Sequence, residues 1–202
     1  MTATSELDRK LLAALERIGQ AQRVLQWDQA KRHGLTPIQL QLLVRIGSEP
    51  RHRRRVIALA AELDVSGPTV SDAVAALRRK RLVESGPALA DRRATQLELT
   101  ERGRKLTGEL NGWQDRIASR LPAVAGEDKA AALAMLLDLI GELQRERVIT
   151  VARMCTTCTF FARDAHPGEP LRHHCRLLDA PIGQADLRVD CPEHQPAVGQ
   201  AA

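Results

Sequence analysis

The sequence predicts a mainly α-helical protein with one small β-hairpin and a separate cysteine-rich module at its C-terminal end. Aromatic residues make up 2% of the 202 residues, so the core must be built from Leu, Ala, Val and Ile, and Ala and Leu favour helices over sheets. Apolar residues recur at helical spacing near both ends of residues 1–150. All four cysteines fall within residues 155–191. A chain of this length has room for one ordinary domain and a small second one.

The first segment, residues 1–34, is predicted to form one long amphipathic helix. Ser5 and Asp8 have the spacing of a capping box, and Gly34 ends the pattern. A solitary amphipathic helix must bury its apolar stripe on another element. We therefore expect a dimerisation helix. Its apolar positions are Leu7, Leu11, Leu15, Ile18, Val24 and Leu25.

The second segment, residues 35–103, begins with several short helices. Thr36-Pro37 is typical of a helix N-cap followed by proline at the first helical position. After an arginine-rich loop over residues 50–55, two short helices are predicted from Val56 to Leu63 and from Ser66 to about Lys80. Two helices joined by a tight turn form a helix-turn-helix, in which the second helix enters the major groove.

A β-hairpin is predicted to close this segment. Leu82-Val83 begins a first strand, residues 84–93 are turn-prone, and Thr95, Leu97 and Leu99 alternate in a second strand. Residues 104–153 then return to helical spacing as two further dimerisation helices, interrupted between Pro122 and Gly126. Their apolar stripes are Leu106, Leu110, Trp113, Ile117 and Leu121, then Leu133, Leu136, Leu137, Ile140 and Leu143.

Three strings in this order and spacing resemble the MarR family of winged helix-turn-helix transcription regulators: "LTPIQLQLLVRI", "VIALAAELDVSGPTVSDAVAALRRKRLV" and "DRRATQLELTERG". The resemblance covers roughly residues 5–150 and implies a homodimer that binds a pseudo-palindromic DNA operator. It also implies a possible small-molecule effector in the cleft beside the DNA-binding lobe. The most specific motif is D-x-R followed by L-x-L-T-x-x-G, here Asp91, Arg93, Leu97, Leu99, Thr100 and Gly103.

The charge distribution agrees with this interpretation. Residues 34–105 hold 14 Lys and Arg against 8 Asp and Glu, a net charge of +6, which would neutralise phosphates and make binding dependent on salt. Arg92 and Arg93 occupy the hairpin tip, where arginine can enter the minor groove. Asp91 is expected to orient one of them.

On the second helix, the first turns are expected to meet base edges and the far end to grip the DNA backbone. Ser66 has the alternative role of helix N-cap, and the arginines of residues 50–55 are either phosphate contacts or a solvated face. Arg81 stands where glycine is usual in the family, at a left-handed helix end. The predicted reading residues are Ser66, Pro68, Thr69 and Ser71, the backbone contacts are Arg78 and Arg79, and the core positions are Val70, Val74 and Leu77.

Residues 154–195 are predicted to form a metal or cluster module. Cys155 and Cys158 have the spacing of a chelating pair, whereas Cys175 and Cys191 are isolated. A four-cysteine zinc site usually uses two pairs, and iron–sulfur clusters accept lone cysteines, so a [4Fe-4S] cluster is favoured over zinc. The segment resembles the cluster-binding region of high-potential iron–sulfur proteins. That resemblance implies an apolar shell, for which Phe160, Phe161, Leu177 and Leu178 are candidates.

Alternatives for this module remain open. A mixed zinc site could include His173, His174 or His194, although we interpret these as solvated surface residues. A metal-free thiol switch is also compatible with the C-x2-C pair. Residues 196–202 are expected to form a disordered tail.

Other function classes find little support. The chain has no G-x-S-x-G motif or P-loop, and no paired carboxylates with a reason for shifted pKa values, so we expect no enzyme, with a cluster-dependent redox enzyme as the remote alternative. No apolar run approaches about 20 residues, and the N-terminus lacks an apolar signal core. We therefore expect a cytoplasmic regulator, with no membrane partner, whose cluster senses redox or iron state.

Overall fold

The computed structural model describes residues 5–86 and 96–197. The chain divides into two compact units, Met1–Ser119 and Arg120–Ala202. The last long helix groups with the cysteine-rich segment, whereas the sequence pattern assigned it to a helical body that ended at residue 153. Within the described ranges, no helix is long and apolar enough to cross a membrane.

The first unit has the element order of a winged helix-turn-helix. Its strands pair antiparallel, from Val83 with Leu99 to Gly86 with Gln96, which confirms the predicted hairpin. Its elements are α1 (Glu6–Arg32), α2 (Pro37–Ser48), α3 (Val56–Glu62), α4 (Gly67–Arg79), β1 (Val83–Gly86), β2 (Gln96–Leu99), α5 (Glu101–Leu110) and α6 (Asp115–Ala118), with 3-10 turns at Arg51–Arg53 and Asn111–Gln114.

Both predicted helix starts are confirmed. The Ser5 Oγ accepts from the Asp8 N–H at 3.1 Å, and Asp8 Oδ2 accepts from the Ser5 N–H at 2.8 Å. These hydrogen bonds with Ser5 hold the pKa of the Asp8 carboxyl below its ordinary value. α2 starts with the same reciprocal arrangement between Thr36 and Gln39, with Pro37 at the first helical position.

The core of the first unit lies between the short helices and the hairpin. The predicted core positions Val70, Val74 and Leu77 are at most 3% exposed. They pack in a single cluster with residues of the other short elements. Of the described residues in α1, by contrast, Ala30 is the one that reaches full burial. The helix-turn-helix therefore carries its own core, while α1 leaves most of its surface in solvent.

The turn after α4 packs directly on the start of α5. The Thr100 N–H donates to the Leu82 carbonyl at 3.2 Å, and the Thr100 Oγ1 donates to the Arg81 carbonyl at 2.8 Å. The Gly103 N–H donates to Thr100 Oγ1 at 3.0 Å. A Cβ on Gly103 would lie 2.0 Å from the Leu82 oxygen, so this close approach requires glycine. The T-x-x-G part of the family motif is thereby explained.

The helix expected to continue to Leu121 ends at Leu110 instead. The following segment breaks into the 3-10 turn Asn111–Gln114, the single turn of α6, and a further 3-10 turn at Leu121–Ala123. The interruption coincides with Asn111-Gly112, two residues of low helix propensity. The apolar spacing predicted the buried face, with Leu110 fully buried, but not the continuity of the helix.

The second unit combines α7 (Gly126–Arg145) with a small cysteine-rich fold. Its antiparallel sheet has the order β3 (Phe161–Ala162), β4 (His173–Cys175) and β5 (Ala180–Ile182). The sheet and two 3-10 turns, Cys155–Thr157 and Gln184–Asp186, pack on α7 through a core. The fully buried members of that core are Leu137, Met154 and Leu187.

The C-terminal residues are tied into this module as far as residue 197. The Thr159 N–H donates to the Gln195 carbonyl at 2.8 Å, and the Ala197 N–H donates to the Thr157 carbonyl at 3.1 Å. Pro196 forms a β-bridge with Cys158. The start of the expected loose tail is therefore paired, and residues 198–202 lie outside the described residues.

Candidate nucleic-acid interface and cysteine cavity

The first turns of α4 present a small polar surface. Ser66 is the N-cap, and its Oγ accepts from the Thr69 N–H at 3.2 Å while the two hydroxyl oxygens lie 2.8 Å apart. Ser66, Pro68, Thr69 and Ser71 are all exposed, as is Asp72. These residues lie on the face opposite the buried core positions. The cap role and the predicted reading role of Ser66 are compatible, because capping leaves the residue exposed.

The far end of α4 is engaged within the unit. The Arg78 guanidinium donates to Ser85 Oγ at 2.7 Å, which ties α4 to β1. Arg79 lines a cavity together with Arg81 and Arg102. A helical rise of about 1.5 Å per residue places Arg79 about 18 Å from the first turn. The DNA-backbone contacts predicted for Arg78 and Arg79 stay predictions, and Arg78 also has a structural contact.

Three of the predicted site residues belong to the segment between β1 and β2. Asp91, Arg92 and Arg93, the residues predicted to support and form the minor-groove contact, lie outside the described residues. The two strands that flank residues 87–95 are paired along their whole described length. The predicted roles of the three tip residues therefore stay predictions.

The arginine-rich loop is held by acidic and backbone oxygens. Arg51 forms an ion pair with Glu98 at 3.2 Å, and Arg53 forms one with the buried Glu49 at 3.6 Å. The Arg54 Nε donates to the Glu49 carbonyl at 2.7 Å. The loop also extends the hairpin, since the Leu97 N–H donates to the Arg54 carbonyl at 2.8 Å. The Arg51 side chain and the Arg54 carbonyl thus fasten the loop to the hairpin. The Arg53 and Arg54 side chains fasten it to Glu49 at the end of α2, and neither sequence interpretation included these roles.

A cavity of about 450 Å³ lies between α1 and α2. Its wall is mixed, with amide and guanidinium groups beside apolar side chains, and Trp113 closes one side. The Gln41 Nε2 donates to Gln26 Oε1 at 3.2 Å across the two helices. The sequence offered no signal for this cavity, because its residues come from the polar faces of two separate helices.

The structure brings all four cysteines together around one cavity of about 440 Å³ in the second unit. The 3-10 turn Cys155–Thr157 presents Cys155 and leads to Cys158, and Cys175 ends β4. The Cys191 N–H donates to the Arg153 carbonyl at 2.8 Å, which holds the fourth thiol in place. The apolar side chains that line the same cavity include Phe160, Phe161, Leu177 and Leu178.

The four thiols line one cavity but do not meet at the short distances of a single-ion site. In the described part of the chain, no three cysteine Sγ atoms lie within 4.8 Å of one another. Four thiolates bound to one tetrahedral zinc at about 2.3 Å would lie about 3.8 Å apart. The four thiols form no disulfide.

Two hydrogen bonds reach the sulfur atoms from one residue. The Arg188 N–H donates to Cys155 Sγ at 3.2 Å, and its Nη1 donates to Cys191 Sγ at 3.8 Å. Burial raises the pKa of the Cys155 thiol, while the Arg188 hydrogen bond opposes that rise by favouring the thiolate. The sequence contained no signal for Arg188.

The histidines point their ring nitrogens at other partners. His173, expected at the surface, is 3% exposed, and its Nδ1 accepts from the Asp164 N–H at 3.2 Å. Burial lowers the pKa of His173. Nitrogens of His174 and His166 lie 3.1 Å apart, and His194 lies 3.0 Å from a threonine hydroxyl. No histidine is among the described residues that line the cysteine cavity.

Comparison with known proteins identifies the fold of the first unit. Residues 33–94 match the MarR family model. The chain matches no curated protein. Among solved structures, the chain is similar to Staphylococcus aureus MarR in complex with salicylate and kanamycin. The two are 17% identical, the match covers 69% of this chain and 94% of that chain, and the TM-score is 0.59.

Two further structures have the same fold. The Staphylococcus aureus MepR–DNA complex is 21% identical over 65% of this chain and 96% of the other, with a TM-score of 0.57. The YusO protein of Bacillus subtilis is 21% identical over 69% and 99%, with a TM-score of 0.50. MarR family members are transcriptional regulators and not enzymes. Residues 33–94 are therefore similar to the MarR family, and the first unit has the winged helix-turn-helix fold of these solved structures.

Proposed function

We propose that this protein is a homodimeric DNA-binding transcription regulator whose operator affinity responds to an iron–sulfur cluster bound by Cys155, Cys158, Cys175 and Cys191. The observation that carries this proposal is the convergence of all four thiols on one cavity, whose lining is largely apolar but includes Asp186, Arg188 and Glu193. The same chain matches the MarR family model over residues 33–94. The proposed signal is the redox or iron state of the cell.

DNA binding is supported by the surface of α4 and by charge. The exposed hydroxyls of Ser66, Thr69 and Ser71 can serve base edges or phosphates. The net charge of +6 over residues 34–105 favours a polyanionic partner. A protein of similar fold, MepR, has been solved in complex with DNA.

A second copy of the chain is the proposed partner of α1. Apolar side chains on one face of this 27-residue helix stay exposed, among them Leu7 at 65%, Leu11 at 41% and Ile18 at 51%. A large exposed apolar stripe marks an interaction surface. Two copies joined there would present two reading helices to the two half-sites of a pseudo-palindromic operator.

A [4Fe-4S] cluster fits the cysteine cavity better than zinc does. One thiolate bound to each of four irons leaves the sulfurs farther apart than four ligands of one ion, in agreement with the absence of any three described Sγ atoms within 4.8 Å. The aromatic and aliphatic lining would shield such a group from water. A bound cluster supplies reversible one-electron chemistry, which zinc does not.

The cysteine-rich module packs directly against α7. Met154, next to the ligand Cys155, packs with Leu137 of α7 in the core of the second unit. The 3-10 turn also contacts α7 near Gly141, where a Cβ would be in ordinary van der Waals contact with the Thr157 methyl carbon at 3.4 Å. A change in the order of the cysteine loops would therefore alter the packing of α7. The proposed regulation is a shift between two dimer arrangements with different operator affinity.

The cavity between α1 and α2 is the proposed site of a small organic effector. Its volume of about 450 Å³ is in the range of ligand pockets, about 300–1,000 Å³. Arg23 in its wall favours a ligand with a carboxylate, whereas Arg45 is already paired with Glu62 at 3.1 Å. Staphylococcus aureus MarR, of similar fold, has been solved with salicylate.

Anaerobic purification of the full chain tests the proposal. We expect visible colour, iron and acid-labile sulfide in equal amounts, and operator affinity at fixed salt that differs between holo and apo protein. Cys155→Ser should abolish both the iron content and the difference in affinity. Zinc in place of iron would establish the structural zinc alternative, a dithiol–disulfide response without metal would establish a thiol switch, and equal holo and apo affinities would exclude cluster sensing.

A further inference from the structure

A second cavity of the first unit, here called the arginine pocket, is lined by cationic side chains. It has a volume of about 330 Å³ and lies where the end of α4 meets the first turn of α5 and the turn after α1. Among the described residues that line it, four are Arg or Lys and none is acidic. The lining residues are His33, Gly34, Arg79, Lys80, Arg81, Leu82, Arg102 and Leu106.

The backbone of Arg81 is in a conformation that normally favours glycine. Its φ is 55°, in the left-handed region that a residue with a Cβ rarely adopts. Arg81 ends α4 in a Schellman motif, in which its N–H donates to the Arg78 carbonyl at 2.9 Å and the Leu82 N–H donates to the Leu77 carbonyl at 3.0 Å. Arginine thus occupies a position whose geometry suits glycine, and its side chain lines the pocket. An unfavourable backbone conformation that persists is a reason to look for a function of the side chain.

Hydrogen bonds of Lys80 hold one wall of the pocket, and three guanidinium groups line the rest. The Lys80 Nζ donates to Gln39 Oε1 at 2.9 Å and to the Gly34 carbonyl, so the lysine fastens the turn after α1 to the end of α4. Arg79, Arg81 and Arg102 are exposed. None of these three forms a side-chain ion pair with a described residue. Like charges gathered in a concavity whose described lining includes no carboxylate are complementary to a multivalent anion.

We propose that the arginine pocket binds a small polyanion that carries phosphate or carboxylate groups, and that Arg81 is retained at its left-handed position for this purpose. The planar guanidinium binds both groups through two parallel hydrogen bonds, so three arginines can hold a ligand with several oxygens. The bound anion would join the end of the reading helix to α5 and to the turn after α1. Binding there would therefore bias the position of α4. This inference depends neither on the cluster nor on the cavity between α1 and α2.

A DNA phosphate is the other source of the same chemistry. The geometry favours a small molecule, because three guanidinium groups line one cavity and Arg79 lies about 12–20 Å along α4 from the turns that are predicted to meet base edges. Arg79 is also a predicted contact with the DNA backbone, so the test includes titration with the operator.

The test compares two glycine variants by calorimetric titration with inorganic pyrophosphate at constant ionic strength, in the full chain and without DNA. Arg81→Gly removes a pocket guanidinium and relieves the backbone conformation, so the protein should stay folded. Arg147→Gly is the matched control. Arg147 also has a positive φ, 60°, and ends α7 with the same pair of hydrogen bonds, to Gln144 and from Val148 to Leu143, but it does not line the arginine pocket.

We expect pyrophosphate to bind the wild type and Arg147→Gly equally, and Arg81→Gly at least tenfold more weakly, while neither variant has a lower melting temperature. The absence of pyrophosphate binding by the wild type, or equal weakening in both variants, would overturn the proposal. Operator titrations separate the two anion sources. If Arg81→Gly binds pyrophosphate normally but loses about one unit of the salt slope of DNA binding, the pocket serves the DNA backbone and the proposal is wrong.

Discussion

The backbone N–H of Arg188 donates a hydrogen bond to Cys155 Sγ at 3.2 Å. The contact is reciprocal, because the Cys155 N–H donates to the Arg188 carbonyl at 3.1 Å. The guanidinium of the same residue reaches Cys191 Sγ at 3.8 Å, so one residue binds two of the four thiols. Hydrogen bonds to the sulfurs and the charge nearby are the main means by which a protein sets the potential of an iron–sulfur cluster.

Arg188→Met is therefore expected to lower the midpoint potential of the proposed cluster. The cation stabilises the more negative, reduced state, and its removal should lower the potential by an amount on the order of 50 mV, after allowance for the exposure of the side chain. The backbone hydrogen bond to Cys155 remains in the variant, so the cluster should still assemble. A redox titration followed by electron paramagnetic resonance measures the shift.

Arg176→Met is the matched control for this prediction. Arg176 is exposed and next to Cys175, a proposed ligand, but it does not line the cysteine cavity. We expect a smaller shift than for Arg188→Met. Equal shifts of the midpoint potential in the two variants would show that any nearby positive charge has this effect and that the Arg188 contact is not specific. A wild type without iron would instead contradict the cluster itself.

Gly103→Ala should destabilise the first unit. The new Cβ would lie 2.0 Å from the Leu82 carbonyl oxygen, so the turn after α4 must move away from α5. We expect a loss of about 1–3 kcal/mol or more in the free energy of unfolding. Gly108→Ala in the same helix is the control, since a Cβ there meets nothing within 4 Å and should stabilise the helix by about 0.5–1 kcal/mol. Chemical denaturation of both variants measures the difference, and a neutral Gly103→Ala would contradict the tight contact.

The parts of the fold that follow local rules were predictable from the sequence. The caps at Ser5 and Thr36, the hairpin and the buried positions of α4 depend on residues a few positions apart, and the structure confirms them. The end of α5 at Leu110 was not predicted, because apolar spacing continues through Asn111-Gly112 and conceals the break.

The candidate sites were predictable to different degrees. Cysteine spacing indicated one shared site, and the cavity contains all four thiols. The Arg188 contacts were not predictable, since they depend on how the chain closes over 33 residues between Cys155 and Arg188. The role of the arginine-rich loop was missed for the same reason, because its partner Glu98 is distant in sequence from Arg51.

Arg93→Ala and Arg78→Ala should separate DNA contact from structural support. If Arg93 binds in the minor groove as predicted, its loss weakens operator binding and reduces the salt slope by about one unit. Arg78 donates to Ser85 Oγ at 2.7 Å, so its loss should lower the free energy of unfolding by about 1 kcal/mol and change the salt slope less. Operator titrations at several salt concentrations, with denaturation curves for both variants, measure these effects. A larger change of salt slope for Arg78→Ala would reverse the two assignments.

Leu11→Glu combined with Ile18→Glu should dissociate the proposed homodimer. Both side chains are exposed in a single chain, at 41% and 51%, and lie on one stripe of α1. Paired copies of the variant would have to bury two carboxylates per chain, which costs a large free energy of desolvation. Light scattering should show a monomer, and operator affinity should fall because a monomer reads one half-site. Gln20→Glu, at an exposed position of the same helix, should stay dimeric. A double variant that remains dimeric with unchanged affinity would show that α1 does not form the interface, and the two reading helices would then have to be paired through another surface.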